Sequence, residues 1–155
     1  MRQHIFNPDF RDFVQKLNAC DVAYLLVGGY SVVLHGYQRV TGDMDIWIKP
    51  TAENYSKLMT AFRKFGMSAF DMTEEKFLAT DRYDVFSFGR PPVALEIMTM
   101  VKGLDFDKAF ETSTVFQFDD SFYVRTLCLD DLLTAKKAAG RYKDLDDIDH
   151  LTYNE

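Results

Sequence analysis

The sequence predicts an α/β protein of the α+β kind: a mixed β-sheet with helices packed on it, in a single domain spanning residues 1–155. Three observations carry this. Short apolar runs rich in Val, Ile and Tyr alternate with segments of helical periodicity. Two late strands flank Asp119-Asp120-Ser121 as a hairpin, which does not suit a purely parallel, doubly wound sheet. A length of 155 residues is enough for one domain with its own core.

The elements follow in order. Phe10, Phe13, Val14 and Leu17 recur at helical spacing over residues 8–19, with Asn7 as N-cap and Pro8 at N1. Asp21 to Val27 reads as a buried strand ending at Gly28-Gly29. Tyr30 to His35 is a short helix stopped by Gly36, and Gln38 to Gly42 is a connection. Asp43 to Lys49 is the second strand, ended by Pro50. Thr51 caps a helix whose apolar face is Tyr55, Leu58, Met59 and Phe62 and which ends at Gly66; Asn54 stands where a capping box wants Glu or Gln. Within Phe70 to Thr80, the segment TEEKFLA suggests a helical turn. Strands are expected at Tyr83 to Phe88 and Val93 to Thr99, joined by a turn over Gly89-Arg90-Pro91-Pro92. Lys102 to Phe110 is a loop entering a short helix, and Thr114 to Phe118 and Phe122 to Thr126 form the hairpin. A helix starts at Asp130 or Asp131 and stops at Gly140, and Arg141 to Leu151 forms the last helix.

Composition narrows the function classes. Hydrophobic residues make up 47% and charged residues 27%, the balance of a globular domain. No apolar run reaches the roughly 18 residues of a membrane helix, and MRQHIFNPDF lacks the basic and apolar regions of a signal peptide. A cytoplasmic protein with no membrane partner is expected. Cys20 and Cys128 have no metal-ligand or CxxC spacing and read as free, buried thiols. A net charge of −6 argues against a general nucleic-acid binder, although a local basic patch could still meet a nucleotide or an RNA end.

The stretch with most chemical content is Val27 to Ile48, VGGYSVVLHGYQRVTGDMDIWI. Glycines let a backbone approach a phosphate closely, and a helix that begins just after them offers free N–H donors; Ser31 could add a hydroxyl. A plain tight turn would also use Gly28-Gly29, and no P-loop pattern is present. Asp43 and Asp45 stand two apart on an apolar strand, so both face one side about 6.6–6.8 Å apart. A pair of capping or salt-bridged acids is the plainer reading. A carboxylate inside an apolar strand is costly, however, and a hard divalent cation would offset that cost. Glu96 is a third acid within the apolar run Val93 to Met98. It could be a solvated position on an edge strand, or an ion-pair partner of Arg39 or Lys136. Three acids on adjacent strands would instead suit a two-metal site.

Positive charge is available from two places. Arg39 and Thr41 lie just before the acids, and Lys136, Lys137, Arg141 and Lys143 lie near the C-terminus. Lys137 and Arg141 are four apart and share a helix face. This set could neutralise a triphosphate, or it could be a solvated face paired to Asp144, Asp146 and Asp147. His35 on its short helix reads as structural.

In this order and spacing the motifs resemble those of the nucleotidyltransferase superfamily, with the DNA polymerase β-like fold. They are Gly28-Gly29, then Asp43-x-Asp45 between apolar residues, then an acid on a later strand. The segments HGYQRVTGDMDIWI, PPVALEIMTMVKGLDFDKAF and LDDLLTAKKAAGRYKDLDDIDHL are similar to those of small bacterial minimal nucleotidyltransferases, a group related to AbiEii-type toxins. The resemblance covers most of Tyr24 to Leu151, apart from Phe65 to Asp84. It implies a nucleotidyltransferase fold and a Mg2+-dependent transfer of a nucleoside monophosphate from an NTP (ATP among them) to a hydroxyl of an RNA end or a protein. It implies Asp43, Asp45 and Glu96 as catalytic and metal-holding residues. Gly28, Gly29, Ser31, Arg39, Thr41, Lys137 and Arg141 would bind the nucleotide. An antitoxin-like partner is a further implication. The family's third acid is usually Asp, and here it is Glu96. A non-catalytic member that binds a nucleotide or protein partner is the alternative, and a structural protein with charge-paired acids a third.

Overall fold

The computed structural model describes residues 6–90 and 93–153. Among these the chain runs α1 (Pro8–Ala19), β1 (Tyr24–Val27), α2 (Gly28–Leu34), β2 (Met44–Ile48), α3 (Ala52–Phe65), α4 (Glu74–Leu78), β3 (Val85–Arg90), β4 (Val93–Met98), α5 (Phe106–Glu111), β5 (Thr114–Asp119), β6 (Phe122–Thr126), α6 (Leu129–Ala139) and α7 (Tyr142–Tyr153). The strands form one mixed sheet in the order β3-β4-β2-β1-β6-β5. β1 lies antiparallel to β2 and parallel to β6, and β2 lies parallel to β4.

Strand alternation sorts side chains onto two faces. Tyr24, Leu26, Met44, Ile46 and Ile48 share a core with Phe10, Phe13 and Leu17 of α1 and with Leu58 and Phe62 of α3. Leu25, Val27 and Trp47 belong to a second core with Phe106 of α5, Leu132 of α6 and Leu151 of α7. Asp45 alternates in phase with Trp47 and so emerges on this second face.

Local chemistry sets the helix ends. The Asn7 side chain accepts from the Phe10 N–H at 2.9 Å, and Thr51 accepts from the Asn54 N–H at 3.2 Å. Gly66 ends α3 at φ +89°. Asn54 does not complete a capping box. Its buried amide bonds the Ala23 N–H at 2.8 Å and the carbonyls of Ala23 and Lys49 at 3.0 and 2.9 Å, tying α3 to β1 and the end of β2.

Several boundaries differ from expectation. The helix after β1 begins at Gly28, so the glycines open the helix and do not precede it. Asp43 lies before β2, which starts at Met44. β3 runs from Val85 through Arg90, so Gly89-Arg90 is strand and not turn; Pro91-Pro92 lies outside the described residues. The helical turn within TEEKFLA is α4, capped by Thr73. α6 starts at Leu129, because Cys128 rather than Asp130 or Asp131 is the N-cap: its Sγ accepts from the Asp131 N–H at 3.5 Å. Among the described residues no helix is long and apolar enough to cross a membrane.

Candidate active site

Asp45 sits opposite Val27 of β1 and in register with Glu96 of β4. β4 is flanked by β2 and β3, so Glu96 is on an interior strand and not on an edge. The register sets the two carboxyl groups side by side on neighbouring strands. Asp45 is pushed up to about 7, first by burial, then by the charge and hydrogen bond of Glu96 and by the charge of Asp43, against the opposing pull of Lys136. Its Oδ1 is buried with no hydrogen-bond partner. A polar atom left so is costly unless something else contacts it.

The glycines make room for this arrangement. A Cβ on Gly28, which has φ +68°, would overlap the Asp45 carboxylate, and one on Gly29 would overlap the Thr41 hydroxyl. No side chain caps the N-terminus of α2.

A cleft of about 490 Å³ opens over these groups. Of the residues singled out from sequence, Gly28, Gly29, Arg39, Thr41, Asp43, Asp45, Glu96 and Arg141 line it. Asp43 is exposed at its rim. Ser31 and Lys137 are placed elsewhere. Ser31 is fully buried and its hydroxyl bonds that of Thr126 at 2.6 Å. Lys137 is exposed on α6, and it is Lys136 that lines the cleft, together with Lys143. His35 is structural as expected: its Nε2 lies 2.7 Å from the Leu127 carbonyl.

The cations are held by α7. Lys136 Nζ lies 3.2 Å from Asp144 Oδ1 and 3.1 Å from Asp147 Oδ2, and all three residues are buried. Arg39 grips Asp147 with two bonds, at 2.9 and 3.0 Å, and Arg141 Nε donates to Asp144 Oδ2 at 2.6 Å. Burial works to raise Asp144, but the hydrogen bonds from Arg141 and Lys136 and the charge of Lys136 together hold it below the ordinary carboxyl value. Three cations meet two aspartates, which leaves net positive charge facing the acids. The loop before β2 is pinned as well. Tyr37 stacks on His150 at 4.0 Å and donates to Asp146 at 3.0 Å.

Of the two expectations for the basic set, the pairing with acids of α7 holds for Asp144 and Asp147, but on a buried and not a solvated face. A signal of their burial was present: Asp144, Asp147 and Leu151 share one stripe of α7, as Leu132 and Lys136 share one of α6.

Among the described residues no group of three His, Cys, Asp or Glu side chains forms a ready-made metal cage. The donor chemistry nonetheless fits a hard cation that completes its shell with water and substrate oxygens. Two carboxyl groups are in contact, one oxygen has no partner, and a third acid stands at the rim.

No protein family's sequence profile matches the chain, and no curated protein matches it. Solved structures do. One is a crystal structure of a Thermotoga maritima protein that carries a provisional assignment as a nucleotidyltransferase. It superposes with a TM-score of 0.59 at 15% identity, over 94% of this chain and 91% of that one. The fold is therefore nucleotidyltransferase-like, a six-stranded mixed sheet with helices on its faces.

Proposed function

We propose that the protein transfers a nucleoside monophosphate from an NTP to an acceptor hydroxyl, with release of pyrophosphate. The observation that carries this reading is the Asp45–Glu96 pair, with its partnerless oxygen, at the floor of a cleft rimmed by cations. Asp43, Asp45 and Glu96 would hold Mg2+. When bound, Mg2+ supplies charge neutralisation for the phosphates and for the attacking and leaving oxygens.

The chain's own groups account for the rest. The backbone of Gly28 and Gly29 admits phosphate oxygens where no Cβ intervenes. Arg39, Arg141 and Lys143 face the triphosphate tail and stabilise the charge that grows on the departing pyrophosphate. The acceptor oxygen bonds to the α-phosphorus as the bond from that phosphorus to the bridging oxygen breaks. Its proton passes to the carboxylate of Glu96, which lines the cleft. Acceptors of the proposed class are an RNA end or a protein side chain. A toxin role in the cytoplasm, controlled by an antitoxin-like partner as in the AbiEii-related group, belongs to the same proposal.

A binding module without turnover is the second reading. It is favoured by one feature: Arg39, Lys136 and Arg141 are already engaged by Asp144 and Asp147. Incubation with labelled NTPs, Mg2+ and either tRNA or lysate protein separates the two. Transfer that is lost in Asp45→Ala supports the enzyme. Transfer that survives in Asp43→Ala combined with Asp45→Ala overturns the site, and Mg2+-independent NTP binding without transfer favours the module.

A further inference from the structure

A second cavity, of about 210 Å³, adjoins the polar cleft. Gly28, Asp45, Met98, Lys136 and Arg141 line both, so the two open onto each other at the acids. They differ in chemistry. Arg39, Thr41 and Lys143 line only the cleft, whereas Val85, Met100, Leu127, Leu132 and Ala135 line only the cavity. We infer that this cavity seats the nucleobase of the bound nucleotide, an inference that rests on the nucleotide-transfer reading above.

Size is the first argument. The volume is below the roughly 300–1,000 Å³ of pockets for drug-sized ligands, so one ring system fits and a whole nucleotide does not. Polarity is the second. The flat faces of a base are apolar enough to pack on aliphatic and thioether side chains, and methionine adapts its shape to what it covers. An RNA acceptor carries phosphodiesters and would call for cations along its path, yet Lys102 is the one basic residue confined to this cavity. Position is the third. A nucleotide whose α-phosphate sits at Asp45 would send its phosphate tail toward Arg39 and Lys143 and its base the other way, past Met98.

The topology explains why the cavity is open. β3 is an edge strand, and Val85 and Met100 are 44% and 53% exposed, so no helix covers this end of the sheet face. The lining contains no Asn, Gln, Ser or Thr; of its charged side chains, Lys136, Arg141 and Asp144 already bond one another, Asp45 belongs to the acid pair, and Lys102 is the single one remaining. Recognition then rests on shape, and an apolar pocket rejects a wrong isostere only weakly. The four NTPs should bind within about tenfold of one another.

Calorimetry in Mg2+ with the four NTPs and with inorganic tripolyphosphate tests this on the whole protein. Ala135→Phe fills the cavity and Met100→Ala strips an exposed wall. NTP affinity should fall about tenfold in the first and about threefold in the second, while tripolyphosphate affinity holds within about twofold. In [methyl-13C]Met-labelled protein the Met100 signal should move with ATP and stay still with tripolyphosphate. If Ala135→Phe fails to fold by circular dichroism, Met100→Ala and the Met100 signal decide. Wild-type preference for NTP over tripolyphosphate that both variants retain would overturn the base site alone. So would a filled variant that binds NTP normally but no longer labels its acceptor, which would give the cavity to the acceptor. Wild-type protein that binds neither ligand would overturn the nucleotide reading itself, and this inference with it.

Discussion

Gly28 and Asp45 occupy one space: the carboxylate of Asp45 fills the volume where any side chain at position 28 would put its Cβ. The positive φ of Gly28 adds a backbone reason to the steric one. Gly28→Ala is therefore expected to fold, at a cost of about 1–3 kcal/mol for the strained backbone, and to displace Asp45. NTP binding in Mg2+ should fall at least about tenfold. Urea unfolding and calorimetry on the same preparation read both effects.

Asp45 gives a pH dependence of defined sign. Its folded value, near 7, lies above its unfolded value of 3.8. Between those values the folded chain keeps a proton that the unfolded chain has lost, so stability falls as pH rises through that window. Asp45→Asn removes the titration. Metal-free, the variant should match wild type near pH 4 and exceed it at pH 8 by roughly 2 kcal/mol, the full shift being discounted for partial exposure. An advantage that is equal at both pH values would point to packing instead.

Mg2+ and that proton compete for the same oxygens. Saturating Mg2+ should raise the melting temperature of wild type more at pH 8 than at pH 5, with about 2.7 kcal/mol available at a hundredfold excess over Kd. Asp45→Asn and Glu96→Gln should abolish the difference. A thermal-shift series across pH, with and without Mg2+, is sufficient.

Adjacent lysines on α6 separate sharply. Lys136 is 7% exposed and bonded to two buried aspartates. Lys136→Ala leaves Asp144 and Asp147 short of a partner and should cost about 3–5 kcal/mol by urea unfolding. Lys137→Ala should cost nothing measurable, and NTP affinity should be unchanged.

Ser31 makes the same contrast on α2. Ser31→Ala breaks its buried bond to Thr126 and should cost about 1–3 kcal/mol of stability. NTP affinity in the folded variant should equal that of wild type, because the hydroxyl does not reach the cleft.

These two pairs also mark where the sequence was legible. α1 and α3 could be read because Asn7, Pro8, Thr51 and Gly66 act on backbone groups within a turn of themselves, and Phe10, Phe13, Leu58 and Phe62 repeat for several turns. Asp45 and Glu96 stood out because an acid inside an apolar strand needs a reason. α2 is only seven residues long, too short for periodicity to say which way Ser31 points. The choice between Lys136 and Lys137 turned on the phase of α6, which follows Leu132 into the second core. Sequence spacing alone left that open: Lys137 and Arg141 would share a face only on one continuous helix, and α6 ends at Ala139 with Gly140 in the left-handed region, so they do not. The burial of Asp144 and Asp147 depended on partners far away: Arg39 and Asp147 are 108 residues apart.

That separation has a consequence for the order in which the chain is made. The glycines, the acids and Arg39 leave the ribosome before α7, whose Asp144 and Asp147 are the counter-ions that fix Arg39 and Lys136. Until then two cations beside the acids are unrestrained, and the loop carrying Tyr37 has no His150 to stack upon. A nascent chain therefore holds most of the cleft's parts without their alignment. Alignment of the cleft should switch on in one step, when α7 has been made, and a product of translation that stops before α7 should not bind nucleotide.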